Sequence, residues 1–150
     1  QWVKAGKNIN AAVPNDGTAL IVAAKRGDLA AVNLLIELGA DVNKAVRGDG
    51  NALIAAAAGG NLEVMARLLS AGARVNAVVP GDETALISAV RNDRLDAVKL
   101  LIAHGADVNL GVVANGSEWR SPLNQARSTA VRRYLVRKGA ALGAPGKIHL

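Results

Sequence analysis

Few side chains in this sequence could do chemistry. The chain has no cysteine, so reactive thiols and thiolate metal ligands are excluded. Its two histidines, His104 and His149, belong to no H-E-x-x-H pair, and neither a G-x-S-x-G nor a G-x-x-x-x-G-K segment occurs. His104 directly precedes a glycine in a slot that we expect to face solvent. The residue types therefore predict no catalytic centre, no bound metal and no cofactor.

Three aspartates recur at equal spacing, which raises the question of an acid pair. Asp16, Asp49 and Asp82 each close a turn-like segment of the type Val-Pro-Gly-Asp. Carboxylates that act as a pair lie about 5–9.5 Å apart. Stacking supplies only one of these aspartates per ~10 Å, which is too far apart for such a pair. We therefore interpret the three aspartates as turn residues.

The aspartates belong to a period of 33 residues that runs through most of the chain. The segment Gly-Ala-Asp-Val-Asn or Gly-Ala-Arg-Val-Asn recurs at 39–43, 72–76 and 105–109, and Thr-Ala-Leu-Ile or Asn-Ala-Leu-Ile recurs at 18–21, 51–54 and 84–87. Such a fixed period is typical of stacked structural repeats. The composition, 51% hydrophobic but only 2% aromatic, suits closely packed helices with small side chains.

Each unit predicts two short helices. In the third unit Thr84 is placed to cap the first helix, and a break follows at 92–93. Residues 95–102 carry an apolar stripe at helical spacing, so they predict a second helix with one buried face. Gly105 then suits a left-handed helix end. The polar segments between units predict tight turns.

These landmarks resemble the ankyrin repeat over essentially the whole chain. The resemblance implies an all-α solenoid of helix-turn-helix units with β-hairpin-like fingers. Its usual Thr-Pro-Leu-His segment is replaced by Thr-Ala-Leu-Ile, and by Ser-Pro-Leu-Asn at 121–124. We divide the single domain, residues 1–150, into a truncated unit, three full units, an atypical capping unit and a loose tail: 1–12, 13–45, 46–78, 79–111, 112–142 and 143–150. In the capping unit we expect a longer finger and a shortened helix pair.

A narrower resemblance rests on the fingers. Val-Pro-Gly-Asp at 79–82 and Ser-Glu-Trp-Arg-Ser-Pro-Leu at 117–123 are similar to ankyrin tails of bacterial membrane metallopeptidases of the β-lactam-sensor and antirepressor type. This resemblance implies a periplasmic location; without it, a cytoplasmic location is expected. Because residues 2–10 match only the tail of a unit, we also expect the chain to be cut from a longer protein. No stretch of this sequence is apolar enough to predict a membrane span.

Positive charge is concentrated at one end of the chain. Residues 1–114 are electrically neutral, so the whole formal charge of +6 lies within residues 115–150. Two interpretations stay open: a contact surface for an acidic protein or an anionic lipid surface, or a solubilising end cap. Nucleic acid is not expected, because aromatic residues that could stack on bases are nearly absent. The predicted basic end-patch consists of Arg127, Arg132, Arg133, Arg137 and Lys138.

The ankyrin resemblance implies a protein partner on the concave face, formed by the finger tips and the edges of the first helices. The corresponding residues are Pro14, Asn15, Lys25, Arg26, Arg47, Ala58, Gly59, Pro80, Glu83, Arg91 and Asn92. A bare middle flanked by basic residues predicts binding of an extended acidic segment to a monomeric chain. Trp119 and Arg120 on the last finger are candidate anchors, although Trp119 has the alternative of packing over the preceding finger. A solvated face, with the chain acting as a spacer, is the alternative for the whole surface.

Overall fold

The computed structural model describes residues 8–13, 16–79 and 81–142. The candidate residues Pro14, Asn15 and Pro80, and the predicted tail 143–150, lie outside these ranges. Seven helices and one two-stranded antiparallel hairpin occur in the described residues. In chain order they are α1 Ala19–Arg26, α2 Leu29–Glu37, α3 Ala52–Gly59, α4 Leu62–Ser70, α5 Ala85–Arg91, α6 Leu95–Ala103, β1 Val112–Ala114, β2 Glu118–Arg120 and α7 Thr129–Arg137.

The first helix of each full unit begins where the sequence predicts. Thr18, Asn51 and Thr84 each accept a hydrogen bond, through the side-chain oxygen, from the backbone N–H three residues further on, at 3.2, 2.9 and 3.1 Å. These bonds satisfy amide groups that have no partner within the helix. The predicted break at 92–93 and the left-handed Gly105, with φ of 92°, are also confirmed.

The helices stack in two layers, which confirms the predicted solenoid. The first helices form one layer, in which α1 packs on α3 and α3 packs on α5. The second helices α2, α4, α6 and α7 form the other layer. Small side chains allow the close approach within the first layer, since Ala56 and Ala57 of α3 are fully buried between their neighbours. None of the helices in the described part of the chain is long and apolar enough to cross a membrane.

An asparagine ladder ties each unit to the next. The side-chain oxygens of Asn43, Asn76 and Asn109 each accept a bond from a backbone N–H 31 or 32 residues further on, at 2.8 Å. Their amide groups donate to the carbonyls of Gly72, Gly105 and Gly139 at 3.0–3.2 Å. Because the same bonds recur at each junction, they hold the units at a constant spacing.

The last unit differs from the prediction of a shortened helix pair. Only α7 is helical, and residues 122–125 form a turn instead of a first helix. Ser121 and Asn124 close this turn by donating backbone N–H groups to each other's side-chain oxygens, at 2.9 and 3.2 Å. The segment between Ser121 and the cap of α7 is three residues shorter than in the preceding unit, so it cannot complete two helical turns.

Candidate functional site

The middle of the first-helix layer is bare. Ala58 is half-buried and Gly59 is exposed at the carboxyl end of α3. A Cβ atom added to Gly59 would find no heavy atom within 4 Å, so open space lies above this helix end. Lys25 and Arg26 are exposed at the corresponding end of α1, and neither makes an ion pair within the described residues. The carboxyl end of α3 is therefore open to solvent, and Lys25 and Arg26, which have no ion-pair partner within the described residues, lie beside it.

Glu83 is buried rather than presented to a partner. Its side chain is 7% exposed and accepts ion pairs from Arg91 at 2.9 Å and Arg120 at 3.2 Å. Three of the predicted contact residues are thus bound to one another. Arg91 keeps about a third of its side chain exposed, 34%, whereas Arg120 keeps 14%. Of these three, Arg91 is the most accessible to a partner.

The inward direction of Glu83 has a backbone cause. Gly17 and Gly50 hold the corresponding position in the first two fingers with φ of 77° and 73°, and each forms an antiparallel bridge to the valine four residues earlier. A residue with a Cβ avoids this left-handed conformation. Glu83 has a negative φ, so the third finger takes a different path.

Arg120 also forms an ion pair with a second carboxylate, that of Glu118. Its Nη2 lies 2.9 Å from Glu118, and the hydrogen bond from this guanidinium lowers the pKa of the Glu118 carboxyl below its ordinary value. The Nε of Arg120 is buried and has no hydrogen-bond partner within the described residues. Glu118 is not among the contact residues that the sequence predicts. A signal existed, because side chains two residues apart on a strand share one face.

Trp119 lies on the opposite face of β2 from these ions. It is paired in register with Val113, and its ring lies against Gly111, which precedes its own finger. A side chain at Gly111 would collide with the ring, so glycine is required there for this packing. Trp119 is half-buried. Its role as an anchor stays a prediction.

Two residues of the basic end-patch occupy positions that belong to the apolar core in the other units. Arg127 is the sixth residue after the unit's cap, where the other units place Ala24, Ala57 and Val90, all of them buried. Arg132 is the fourth residue after the cap of α7, where the other units place Val32, Met65 and Val98, all of them fully buried. Both arginines are exposed, which favours the end-cap interpretation.

The remaining patch residues belong to α7 and its carboxyl-terminal cap. Arg133, Arg137 and Lys138 are exposed, and the Nζ atom of Lys138 lies 5.6 Å from the ring centre of Tyr134. Lys99 of the preceding unit approaches the same ring at 5.5 Å, within the range of a cation–π interaction. The Lys99 contact joins α6 to α7, whereas the Lys138 contact lies within α7 and its carboxyl-terminal cap.

The described residues bring together no set of side chains for metal binding. His104 is exposed, as expected, with Nδ1 lying 2.9 Å from the carbonyl of Leu100. Across residues 8–13, 16–79 and 81–142, no cluster of three histidine, cysteine, aspartate or glutamate side chains could hold a metal ion.

Comparison with known proteins identifies the repeat. The family described as "Ankyrin repeats (3 copies)" matches residues 20–112 and 53–144, which together cover most of the chain. A comparison with curated proteins finds no match. The ankyrin fold is typically non-catalytic, and its repeats are general protein–protein interaction modules. By this match and by its stacked helix pairs, the chain belongs to the ankyrin-repeat family.

Proposed function

We propose that this chain is a non-catalytic module that binds a protein partner across the finger tips and first-helix edges. The single observation that carries the proposal is the open space above Gly59 in the middle of the helix row. A partner backbone can approach α3 closely there, because no side chain intervenes. We expect an extended peptide segment to bind in this space.

Charge supports an acidic segment as the partner. Lys25 and Arg26 form no ion pair within the described residues, so an incoming carboxylate would not have to displace an existing one. Arg47 is exposed on the neighbouring finger. Charge-assisted hydrogen bonds to such groups are about twice as strong as neutral ones.

The test begins with segments selected from a displayed peptide library on the wild-type protein. Gly59→Arg fills the space above α3, and we expect it to weaken binding of the selected segments about tenfold, equivalent to ~1.4 kcal/mol. Ala103→Arg is the matched control, because Ala103 is exposed on α6 in the second-helix layer. Fluorescence anisotropy gives the dissociation constants, and circular dichroism melts check that both variants fold.

Charge reversal needs residues that are not already paired. Lys25→Glu with Arg26→Glu is expected to weaken the same segments, whereas reversal of Arg91 would also break its pair with Glu83. Selected segments that bind Gly59→Arg as well as wild type would contradict the proposed surface. That outcome would show binding elsewhere on the chain, whereas a library that yields no binding segment would favour a solenoid spacer without a ligand of its own.

The proposal includes a regulatory or sensory role within a larger bacterial protein, of the membrane-metallopeptidase type that the fingers resemble. The full-length reading frame tests this part directly. Transmembrane helices and a zinc-protease motif upstream of residue 1 would support it, and a different neighbouring domain would contradict it.

A further inference from the structure

A polar cleft of about 370 Å³ opens between the third unit and the last one. It lies between the carboxyl end of α5 and the segment that joins the turn 122–125 to α7. Its lining residues are Arg91, Asn92, Asp93 and Arg127. Two of the four are arginines, and one of these already belongs to the proposed binding surface.

The cleft exists because the last unit fails to cover the helix end beneath it. Elsewhere, the capping residue of the next second helix reaches back. Asn61 donates to the carbonyl of Gly27 at 3.4 Å, and Arg94 lies against Gly60 and donates to the carbonyl of Ala58 at 3.3 Å.

Ser128 holds the corresponding position in the last unit. Its short hydroxyl accepts a bond from the Val131 N–H at 3.2 Å and so caps its own helix. No long side chain at this position extends towards Asp93, which corresponds to Gly27 and Gly60. The space therefore stays open.

Hydrogen-bond donors of the cleft are available. Within the described residues, the side chain of Arg127 makes neither an ion pair nor a hydrogen bond. Arg91 uses Nη1 for Glu83 and keeps part of its guanidinium exposed. The amide group of Asn92 already donates to the carbonyl of Ser88 at 2.8 Å. Two guanidinium groups in one cleft suit a carboxylate.

We propose that this cleft receives an aspartate or glutamate side chain of the protein partner. The inference rests on the proposed function and locates the acidic part of the bound segment at the carboxyl end of the surface. The surplus of six positive charges within residues 115–150 attracts such a segment to this end. The residues that line the cleft include no aromatic side chain on which bases could stack, so an acidic peptide fits better than nucleic acid.

The test uses a fluorescein-labelled hexaglutamate peptide at low ionic strength, with binding measured by anisotropy. Arg127→Gln is expected to weaken binding about tenfold, and Asp93→Asn to strengthen it about threefold. The matched controls are Arg133→Gln and Asp96→Asn, which make the same charge changes on exposed helix positions outside the cleft. We expect both controls to stay within about twofold of wild type.

Equal losses in Arg127→Gln and Arg133→Gln would overturn the inference, since they would show general attraction to the basic end. A single-stranded oligonucleotide or a phosphatidylserine vesicle that depends on Arg127 more strongly than the peptide does would overturn the choice of partner. The two proposals fail separately. If Gly59→Arg loses binding of the library segments while Arg127→Gln keeps it, only the proposed surface is supported. If Arg127→Gln loses binding of hexaglutamate while Gly59→Arg leaves binding of the segments unchanged, only the cleft is supported.

Discussion

Glu83 and Arg120 are 37 residues apart in the chain, and their side chains form an ion pair of 3.2 Å. Glu83 also binds Arg91 of α5, and Arg120 also binds Glu118 of its own hairpin. This chain of ions therefore links the third finger, α5 and the last finger. The last unit lacks a first helix to pack against α5, and the ion pairs provide a polar attachment in its place.

Removal of Glu83 should destabilise this end of the solenoid. Glu83→Met leaves Arg91 without a carboxylate and Arg120 with Glu118 alone, and we expect a loss of about 2 kcal/mol in the free energy of unfolding, measured in urea. The double variant Glu83→Met with Arg120→Met removes charge from both sides and should recover part of that loss. Equal stability of the single variant and wild type would show that the ion pair contributes nothing.

Acid should weaken the hairpin end through Glu118. Its folded-state pKa lies below its ordinary value because it accepts a hydrogen bond from Arg120. A lowered pKa stabilises the fold at pH above the unfolded-state pKa, about 4.3, and this stabilisation is lost as the pH falls through the folded-state pKa. An NMR titration of the Glu118 carboxyl should show the lowered pKa in wild type. In Arg120→Met the pKa should return towards its ordinary value, and an unchanged pKa there would contradict the assignment.

The asparagine ladder should be measurable one rung at a time. Asn76 accepts from the N–H of Asp107 at 2.8 Å and donates to the carbonyl of Gly105 at 3.2 Å. Asn76→Ala loses both bonds, and the expected cost is about 1–2 kcal/mol in urea denaturation. Asn76→Asp keeps the acceptor but places a carboxylate oxygen against the carbonyl of Gly105, so it should also lose stability. Equal stability of Asn76→Ala and wild type would contradict the contribution of these two bonds.

Asp93 should be a stabilisation site. Its φ of 56° falls in the left-handed region, where the first two units have Gly27 and Gly60 with φ of 69° and 68°. Since this conformation costs L-residues about 1–2 kcal/mol, Asp93→Gly should raise the free energy of unfolding by about 1 kcal/mol. Asp93→Ala is the contrasting variant and should destabilise the chain. Urea titration of both variants checks the order, which reverses if backbone strain is absent.

Apolar residues restored at the end cap should cause self-association. Arg127→Val with Arg132→Val returns both positions to the residue class that is buried in every other unit. Within residues 8–13, 16–79 and 81–142 no further unit covers this apolar end, so we expect dimers or larger species by light scattering after gel filtration. Arg133→Val with Arg137→Val is the charge-matched control on exposed positions of α7. Association in the control alone would contradict the end-cap interpretation.

Much of the fold could be predicted because its determinants are local and repeated. The cap at Thr84, the break at 92–93 and the left-handed Gly105 each depend on a few neighbouring residues. Of the predicted surface, the open middle at Gly59 followed from the absence of a side chain. The turn at 122–125 was not predicted, because the sequence there keeps the start of a helix and loses only the residues that would complete it.

The sequence by itself determined the repeat, the helix positions in the three full units and the concentration of charge at one end. Those features need only the 33-residue period and the counts of charged residues. The tertiary structure alone decided that Glu83 turns inward to Arg91 and Arg120, and that Ser128 leaves a cleft above Asp93. The physical reason is that both features depend on a departure from the period. Glu83 replaces the glycine of the first two fingers, and Ser128 replaces the longer capping side chains of the preceding units. The direction in which such a side chain points is set by neighbours in space about one repeat away.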